Sequence, residues 1–503
     1  MDSQFPSFPL LSSIFLVFLA LITTIITTRK SKHLPPGPWK IPILGNIHNI
    51  IGCLPHRSLH NLSMKHGPLM HLQLGQVNTI VISSPETAKQ VLKTHDLTFT
   101  NRPFSLAADI ISYGSTDLVY APYGDYWRQL RKICILELLS VKRVQSFRSI
   151  REEEMMNILR LVSGSEGSGV NFSKMLHKYM FSVISRAAFG KVRKEHEVFF
   201  PYVKEIMEVA AGFSLADLFP AFKVLRKIGG LKGKMERIHE QADKILEAII
   251  KDHRARKGMV IGEDEDEDLV DVLLKLQDEG NLEFSLTIDN IKAVILDIFV
   301  AGIETSSTTM EWAMAELLKN PRIMKKAQTE VRQVFNKKGH VEESGLEQLT
   351  YLKLVIKESL RLHPPFPLLL PRESRDKCEI NGYKIPTNTN VLINAWTIGR
   401  DPKYWEQAEE FIPERFSDGK IDYKGVNFEF IPFGGGRRIC PGMNFGIVNV
   451  ELPLANLLYH FDWKLPGGMK HEDLHMNEAY GIAVKRDNDL DLIPVVSHPV
   501  VFT

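Results

Sequence analysis

Cys440 lies in the run FGGGRRICPG at residues 433–442, where several glycines precede a lone cysteine and an apolar helical pattern follows. Glycines let the backbone approach a large planar ligand, and amides at a helix start donate to a sulfur anion. We therefore expect this environment to favour a thiolate. The alternative is a small buried hydrophobe, as lone cysteines usually are. The ligand interpretation is favoured because Phe433 could pack on a ring, Arg438 could pair with a carboxylate, and Gly442 adds a glycine on the other flank.

The run AGIETS at residues 301–306 lies inside one long predicted helix over residues 289–319. Gly302 weakens a helix by roughly 1 kcal/mol relative to alanine, and the Thr305 hydroxyl can bond to a carbonyl one turn earlier. We therefore expect a local distortion that makes room for a small ligand. An acid beside an alcohol, here Glu304 and Thr305, can relay the protons that oxygen activation consumes. The alternative is an ordinary buried helix with a solvent-facing glutamate.

Two further pairs have helical spacing. Glu358 and Arg361 are three residues apart and share one helix face, and the helix must end before Pro364. If exposed, such a pair contributes only a few tenths of a kcal/mol. Trp127 and Arg131 are four apart and share a face of another helix.

The N-terminal segment predicts a membrane anchor. Residues 3–28 carry no charge, and residues 10–26 are rich in Leu, Ile, Phe and Val, enough to cross a hydrocarbon layer of ~30 Å as a helix. Basic residues follow at 29, 30 and 32, so the positive-inside rule places the body in the cytosol. Because no basic residues or cleavage site mark a secretory signal, we expect a retained single-pass anchor in the endoplasmic reticulum membrane.

The remaining sequence indicates one large domain. We expect an anchor over residues 1–28, a basic and proline-rich hinge over 29–50, and a catalytic domain over 51–503. Amphipathic helical patterns dominate, with a β-hairpin at residues 69–83 and short strands after residue 364, so the predicted fold is mainly α with small β-sheets (α+β). Six acids at residues 263–268 indicate a solvated loop.

Composition excludes several classes of protein. The formal net charge is only +2, which gives no reason to expect a nucleic-acid partner. The four cysteines form no CxxC pair, and no HExxH motif is present, which excludes common zinc sites and a disulfide-rich fold.

These motifs together resemble the cytochrome P-450 superfamily. The resemblance runs along nearly the whole chain: the apolar N-terminus, PPGP at 35–38, WRQLRK at 127–132, AGIETS, ExxR at 358–361, PERF at 413–416 and the cysteine loop. In detail the sequence is similar to the plant microsomal members of this superfamily that act in specialised metabolism. Glu304 stands where the family more often has an aspartate. The resemblance implies the cytochrome P-450 fold and a monooxygenase with haem b, since a cysteine thiolate favours O–O cleavage.

The resemblance also implies roles for individual residues. Cys440 becomes the axial ligand of the haem iron, and Glu304 and Thr305 serve oxygen activation. Glu358 and Arg361 become a buried pair that Arg415 completes and that holds the cysteine loop in place. The implied haem-binding residues are Trp127, Arg131, Arg372, Phe433, Arg438 and Gly442. The implied substrate pocket comprises Ile110, Ile111, Asp297, Ile298, Ala301, Phe366, Leu369, Ile482 and Ala483.

Most of these pocket residues are apolar, so a terpenoid or an indole alkaloid is the expected class of substrate. Asp297 either contacts a polar or cationic substrate group or caps a local helix distortion.

The implied partners are O2, the lipid bilayer and NADPH–cytochrome P-450 reductase, which passes on electrons from NADPH. Arg128 and Lys132 point outward and could meet an acidic electron donor, or form a plain solvated face. Two alternatives are a haem-thiolate isomerase or dehydratase that needs no oxygen, and a non-catalytic haem carrier or membrane steroid-binding protein. The glycine, acid and alcohol at 302, 304 and 305 favour the monooxygenase.

Overall fold

The computed structural model describes residues 33–190, 198–210, 214–226, 230–257 and 267–501, together with Ser13, Phe15 and Val17. The predicted anchor over residues 1–28 and most of the acidic run at 263–268 lie outside the described residues, apart from those three positions.

Helices make up most of the described chain. The α-helices are α1 (Pro55–His66), α2 (Pro85–Lys89), α3 (Leu106–Ile111), α4 (Asp125–Ile133), α5 (Val141–Ser146), α6 (Arg148–Ser163), α7 (Phe172–Phe189), α8 (Phe199–Ala210), α9 (Leu215–Leu218), α10 (Leu231–Lys257), α11 (Leu269–Glu279), α12 (Ile288–Lys319), α13 (Pro321–Phe335), α14 (Thr350–Leu362), α15 (Ala395–Ile398) and α16 (Met443–His460).

The strands are short and form three small sheets. They are β1 (Leu69–Leu74), β2 (Val77–Ile82), β3 (Val170–Asn171), β4 (Arg372–Glu373), β5 (Cys378–Ile380), β6 (Tyr383–Ile385), β7 (Asn390–Ile393), β8 (Phe461–Lys464) and β9 (Asp491–Val496). The sheet orders are β1-β2-β7-β4, β3-β9-β8 and β5-β6, and β2 and β7 are parallel whereas the other pairs are antiparallel. The predicted class, mainly α with small sheets, is confirmed.

Local sequence signals explain the first sheet. The predicted hairpin forms with Leu74 opposite Val77, and Gly75 supplies the left-handed turn residue at φ +60°. Ser84 then caps α2, because its hydroxyl accepts from the Thr87 amide at 3.3 Å. This sheet therefore follows from turn and cap chemistry.

Helix α12 passes through the middle of the core. It begins at a capping box in which the Thr287 hydroxyl accepts from the Asn290 amide at 3.2 Å. Among the described residues, α12 is the one helix that is both long enough and apolar enough to span a membrane. It is largely buried in the protein, however, and acts as a core helix. The helix runs unbroken through Gly302, so the predicted distortion does not interrupt it. A Cβ at Gly302 would lie 2.7 Å from Ile184 Cδ1, so this glycine serves the close approach of α7.

Three buried charges organise the irregular segment that leads to the cysteine loop. Both Glu358 carboxylate oxygens accept from Arg361 at 2.7 Å, and one also accepts from Arg415 at 2.9 Å. Arg361 further donates to the carbonyls of Gly399 and Ala408 at 2.6 and 2.7 Å. The side chains of Glu358 and Arg361 have no exposed surface. One glutamate therefore fixes two guanidinium groups that hold residues 399–415 against α14.

We predict that Glu358→Gln lowers the free energy of unfolding by about 3–5 kcal/mol, because it leaves two enclosed guanidinium groups without their carboxylate. Urea unfolding of the holoprotein, followed by circular dichroism, measures the change. Glu240→Gln is the matched control: Glu240 pairs with Lys244 at 2.6 Å on the exposed face of α10, and no measurable change is expected. Equal unfolding midpoints for both variants would contradict the prediction.

Candidate active site around Cys440

The cysteine loop folds back on itself. The Cys440 amide donates to the Phe433 carbonyl at 3.0 Å, and Gly434 and Gly436 adopt φ of +72° and +67°. A Cβ at Gly436 would lie 2.2 Å from the Leu92 carbonyl oxygen, so only glycine fits where the loop packs on residues 92–96. The loop geometry thus depends on glycine at these positions.

The surroundings of the Cys440 thiol have opposite effects on its pKa. Burial raises the pKa of Cys440, whereas the Gly442 amide, which donates to the sulfur, and the nearby positive charge of Arg131 lower it. Burial is the largest of these effects, and it raises the pKa of the Cys440 thiol above its usual value. The amide and the guanidinium are nevertheless suitable donors to a metal-bound sulfur, and a metal cation deprotonates a coordinating thiol outright.

Four guanidinium groups line the cavity beside Cys440, those of Arg102, Arg131, Arg372 and Arg438. Each is held by backbone carbonyls: Arg438 donates to Ala121 at 2.6 Å, Arg372 to Gly435 at 2.6 Å, Arg131 to Ile439 at 2.6 Å and Arg102 to Pro371 at 2.7 Å. Three of the four are the cationic positions that the resemblance implied. Arg102 was missed, although it is the lone basic residue between Lys93 and Arg128.

This cluster carries excess positive charge. Burial and the neighbouring guanidinium groups lower the pKa of Arg438 to about 8 and that of Arg102 to about 9. Asp96 pairs with Arg372 at 3.1 Å and Asp117 lies near Arg438, but these carboxylates do not balance four cations. The donor set therefore fits an anionic ligand edge, such as the two propionates of haem.

Trp127 and Phe433 shape this side of the cavity. Trp127 is buried and donates through Nε1 to the Leu118 carbonyl at 2.9 Å, with the Arg438 guanidinium 4.3 Å above its ring. Trp127 does not itself line the cavity, whereas Phe433 does and packs edge-on against Tyr423 at 5.2 Å. Trp127 therefore acts on the cavity through Arg438 and Leu118.

On helix α12, Thr305 lines the same cavity as Cys440, and its hydroxyl donates to the Ala301 carbonyl at 2.6 Å, as predicted. Glu304 does not line the cavity. It faces α7, where its carboxylate lies 3.1 Å from His177 Nε2. Burial acts to raise the pKa of Glu304, but the hydrogen bond and charge of His177 outweigh it and the pKa is lowered.

The apolar part of the cavity comes from several elements. The cavity encloses about 340 Å³. The implied pocket residues that line it are Ile111, Asp297, Ile298, Ala301, Phe366, Leu369 and Ile482. Ile110 and Ala483, each next to a lining residue in the sequence, are not among the residues that line it. Lining residues that the sequence did not indicate include Leu118, Val119, Tyr120, Ile206 and Met207.

Asp297 meets a partner that the sequence did not indicate. One Asp297 oxygen accepts from the Leu118 amide at 2.8 Å, and the carboxyl group is hydrogen-bonded to that of Asp117. Burial and the charge of Asp117 raise the pKa of Asp297 well above its usual range. Asp297 thus caps a loop, and neither of the two roles expected for it describes this contact.

Comparison with known proteins agrees with this geometry. A family model described as Cytochrome P450 matches residues 35–489. The chain is 54% identical over 498 residues to desmethyl-deoxy-podophyllotoxin synthase of Sinopodophyllum hexandrum, with 98% of each chain covered. It is 51% identical over 491 residues to premnaspirodiene oxygenase of Hyoscyamus muticus, with 97% of each covered. A zebrafish cytochrome P450 structure with abiraterone has a TM-score of 0.75 at 25% identity, covering 88% of this chain and 99% of that one.

The family match spans most of the chain, the fold agrees with a solved member, and a cysteine faces a cavity whose cations suit haem. The chain belongs to the cytochrome P450 family and is a haem-thiolate monooxygenase.

Proposed function

We propose that this protein hydroxylates or otherwise oxidises a hydrophobic plant specialised metabolite, using O2 and electrons from NADPH. The observation that carries the proposal is that Cys440 and Thr305 line one largely apolar cavity. A cysteine that can bind haem iron and a hydroxyl that can hold a proton thus face the same apolar space, which suits oxygen insertion into a hydrophobic substrate.

Haem b is the proposed cofactor, with Cys440 as its axial ligand. Bound haem supplies oxygen activation, which the electron donation of a thiolate favours. Arg131, Arg372, Arg438 and also Arg102 would hold the propionates. Gly442 donates to the sulfur, and Phe433 borders the cavity next to it.

Thr305 and Glu304 have different proposed parts in proton supply. The Thr305 hydroxyl faces the cavity and can hold a proton at Oγ1 where oxygen would react. Glu304 and His177 are partly exposed on the far side of α12, so they would take up protons from solvent rather than touch the substrate. Water must link the two positions, because Glu304 does not line the cavity.

The lining favours a neutral terpenoid over a charged alkaloid. Most lining side chains are apolar, and the carboxyl group of Asp297 is occupied by Leu118 and Asp117. The name premnaspirodiene oxygenase indicates a hydrocarbon diene as the substrate of that relative. An indole alkaloid with an uncharged ring system remains the second candidate.

The proposed cellular setting follows from the sequence. The apolar N-terminus anchors a cytosolic catalytic domain, residues 51–503, in the endoplasmic reticulum membrane through the hinge at 29–50. NADPH–cytochrome P-450 reductase is the proposed electron donor. Arg128 and Lys132 are exposed on α4, where an acidic partner could contact them.

We predict that the reduced protein with carbon monoxide shows the red-shifted Soret band of a thiolate-ligated haem, and that Cys440→Ala abolishes it. Cys134→Ala is the matched control, because Cys134 lines the same cavity as Cys440 and is buried. The band should survive this change. Absence of the band in folded wild-type protein, or its persistence in Cys440→Ala, would refute the axial-ligand assignment.

We predict that Thr305→Ala raises the NADPH consumed per product several-fold, since reductant is wasted when proton delivery at the cavity face fails. The measurement is NADPH oxidation against product in reductase-containing microsomes supplied with a terpenoid and alkaloid panel. Thr308→Ala is the control, because Thr308 is buried on the same helix but does not line the cavity.

Unchanged coupling in Thr305→Ala would contradict the role of its hydroxyl. Product formed without NADPH or reductase would instead indicate an isomerase or dehydratase. Ligand-dependent spectral change without turnover on any compound would indicate a haem carrier.

A further inference from the structure

Two carboxyl groups lie in direct contact in the cavity wall. Asp297 is on α12, one turn before Ala301, and Asp117 is on the loop over residues 112–121. Their side chains are hydrogen-bonded to each other, both line the cavity, and Asp117 is only 1% exposed. Asp117 is buried and Asp297 is half-buried, and two carboxylates in contact repel each other, so we expect the pair to share one proton.

The remaining oxygen positions bind the loop backbone. One Asp297 oxygen accepts from the Leu118 amide at 2.8 Å, and the carboxyl group also accepts from the Val119 amide. Asp117 accepts from the Tyr120 amide at 3.0 Å. The pair thus captures three consecutive amides of residues 118–120, and all three residues line the cavity.

Charged groups around the pair decide where the proton lies. Arg102 and Arg438 are close enough to Asp117 to interact with it electrostatically, and both favour its carboxylate form. The other ionisable groups that face the pair are Tyr120, Tyr126, Cys134 and, near Tyr120, Asp217. Burial raises the pKa of both carboxyls, and raises that of Asp297 well above its usual range. The proton therefore belongs mainly to Asp297.

The loop needs such an attachment. Tyr113 and Ser115 adopt positive φ of 53° and 58°, a strained backbone conformation for residues other than glycine. The loop also supports the cation cluster, because the Leu118 carbonyl accepts from Trp127 at 2.9 Å and from Arg438 at 3.3 Å. Release of residues 118–120 would therefore disturb both the pocket wall and Arg438.

We propose that Asp117 and Asp297 act as one proton-sharing pair that positions residues 117–121 over the cavity, and that loss of the shared proton releases this loop. Both are positioning residues, since they act through the loop. The proposal does not depend on which substrate the cavity takes.

The direction of the pH dependence follows from the raised pKa. A carboxyl whose pKa is higher in the closed state contributes to closure while it is protonated, and the contribution is lost as the pH rises through that raised pKa. The open fraction therefore grows about tenfold for each pH unit between the ordinary pKa of an aspartate and the raised pKa, and it levels off above the raised pKa. Acidification should therefore tighten the loop.

Hydrogen exchange of the holoenzyme across a pH series tests the proposal. The amides of Leu118, Val119 and Tyr120 are followed by mass spectrometry and corrected for the intrinsic pH dependence of exchange. In the wild type their protection should fall about tenfold per pH unit between the ordinary pKa of an aspartate and the raised pKa of the pair, and should level off above it. Asp297→Asn should keep protection constant over the same range, because the carboxamide donates to Asp117 and cannot lose its proton.

Three further measurements complete the test. Asp109→Asn is the control, because Asp109 is exposed on α3, and it should show the wild-type profile. Asp117→Asn is the second amide variant and should also remove the pH dependence. Infrared spectra of the wild type should contain a band of a protonated buried carboxyl that Asp297→Asn lacks and Asp109→Asn retains.

The proposal is overturned if wild-type protection does not change with pH, or if Asp297→Asn retains the wild-type profile. It is also overturned if the infrared band is absent. The wild-type exchange profile decides the matter even if an Asn variant fails to fold.

Discussion

Buried guanidinium groups that donate to backbone carbonyls hold the irregular parts of this protein together. Residues 399–442 contain only short helical turns, yet they surround the cysteine. Arg361 binds the carbonyls of Gly399 and Ala408, and Arg372 binds that of Gly435. A guanidinium has five N–H donors in a fixed plane. One arginine side chain can therefore donate hydrogen bonds to several backbone carbonyls that accept none from a helix or a sheet. These arginines replace the hydrogen bonds of regular secondary structure.

The same interactions make the cavity electropositive, because a buried cation held by carbonyl groups keeps its full charge. Glu358 neutralises part of the charge of Arg361 and Arg415, and Asp96 and Asp117 neutralise only part of the charge of the four cations beside Cys440. Burial lowers the pKa values of Arg102 and Arg438, and the excess of positive charge among the neighbouring guanidinium groups lowers them further. An anionic cofactor edge relieves it, so the scaffold and the cofactor site share one electrostatic cause.

Much of the fold could be predicted from local patterns, whereas the direction of individual side chains could not. The hairpin at residues 69–82 and helix α12 could be predicted from the spacing of apolar residues along the sequence. Glu304 shows the limit: successive helical residues are rotated by about 100°, and only the packing of α7 decides which one faces the cavity. Ile110 and Ala483 show the same limit, because each adjoins a residue that lines the cavity without lining it itself. Arg102 and Asp117 lie on loops without a period, so no pattern indicated them. The thiol pKa depends on burial, which the sequence does not state.

The cation cluster also has a consequence for the order of assembly. Arg102 and Arg131 come from the first third of the chain, whereas Arg372 and Arg438 come from the last. Gly436 packs directly on residues 92–96, which lie more than 300 positions earlier in the sequence. Contacts of such large sequence separation form slowly, and chains of this size fold through intermediates. During synthesis the ribosome must pass the codon for Cys440 before the ligand and all four cations can meet. Cofactor capture is therefore a late step that closes the fold, and it depends on the survival of an incompletely packed chain until translation is nearly finished.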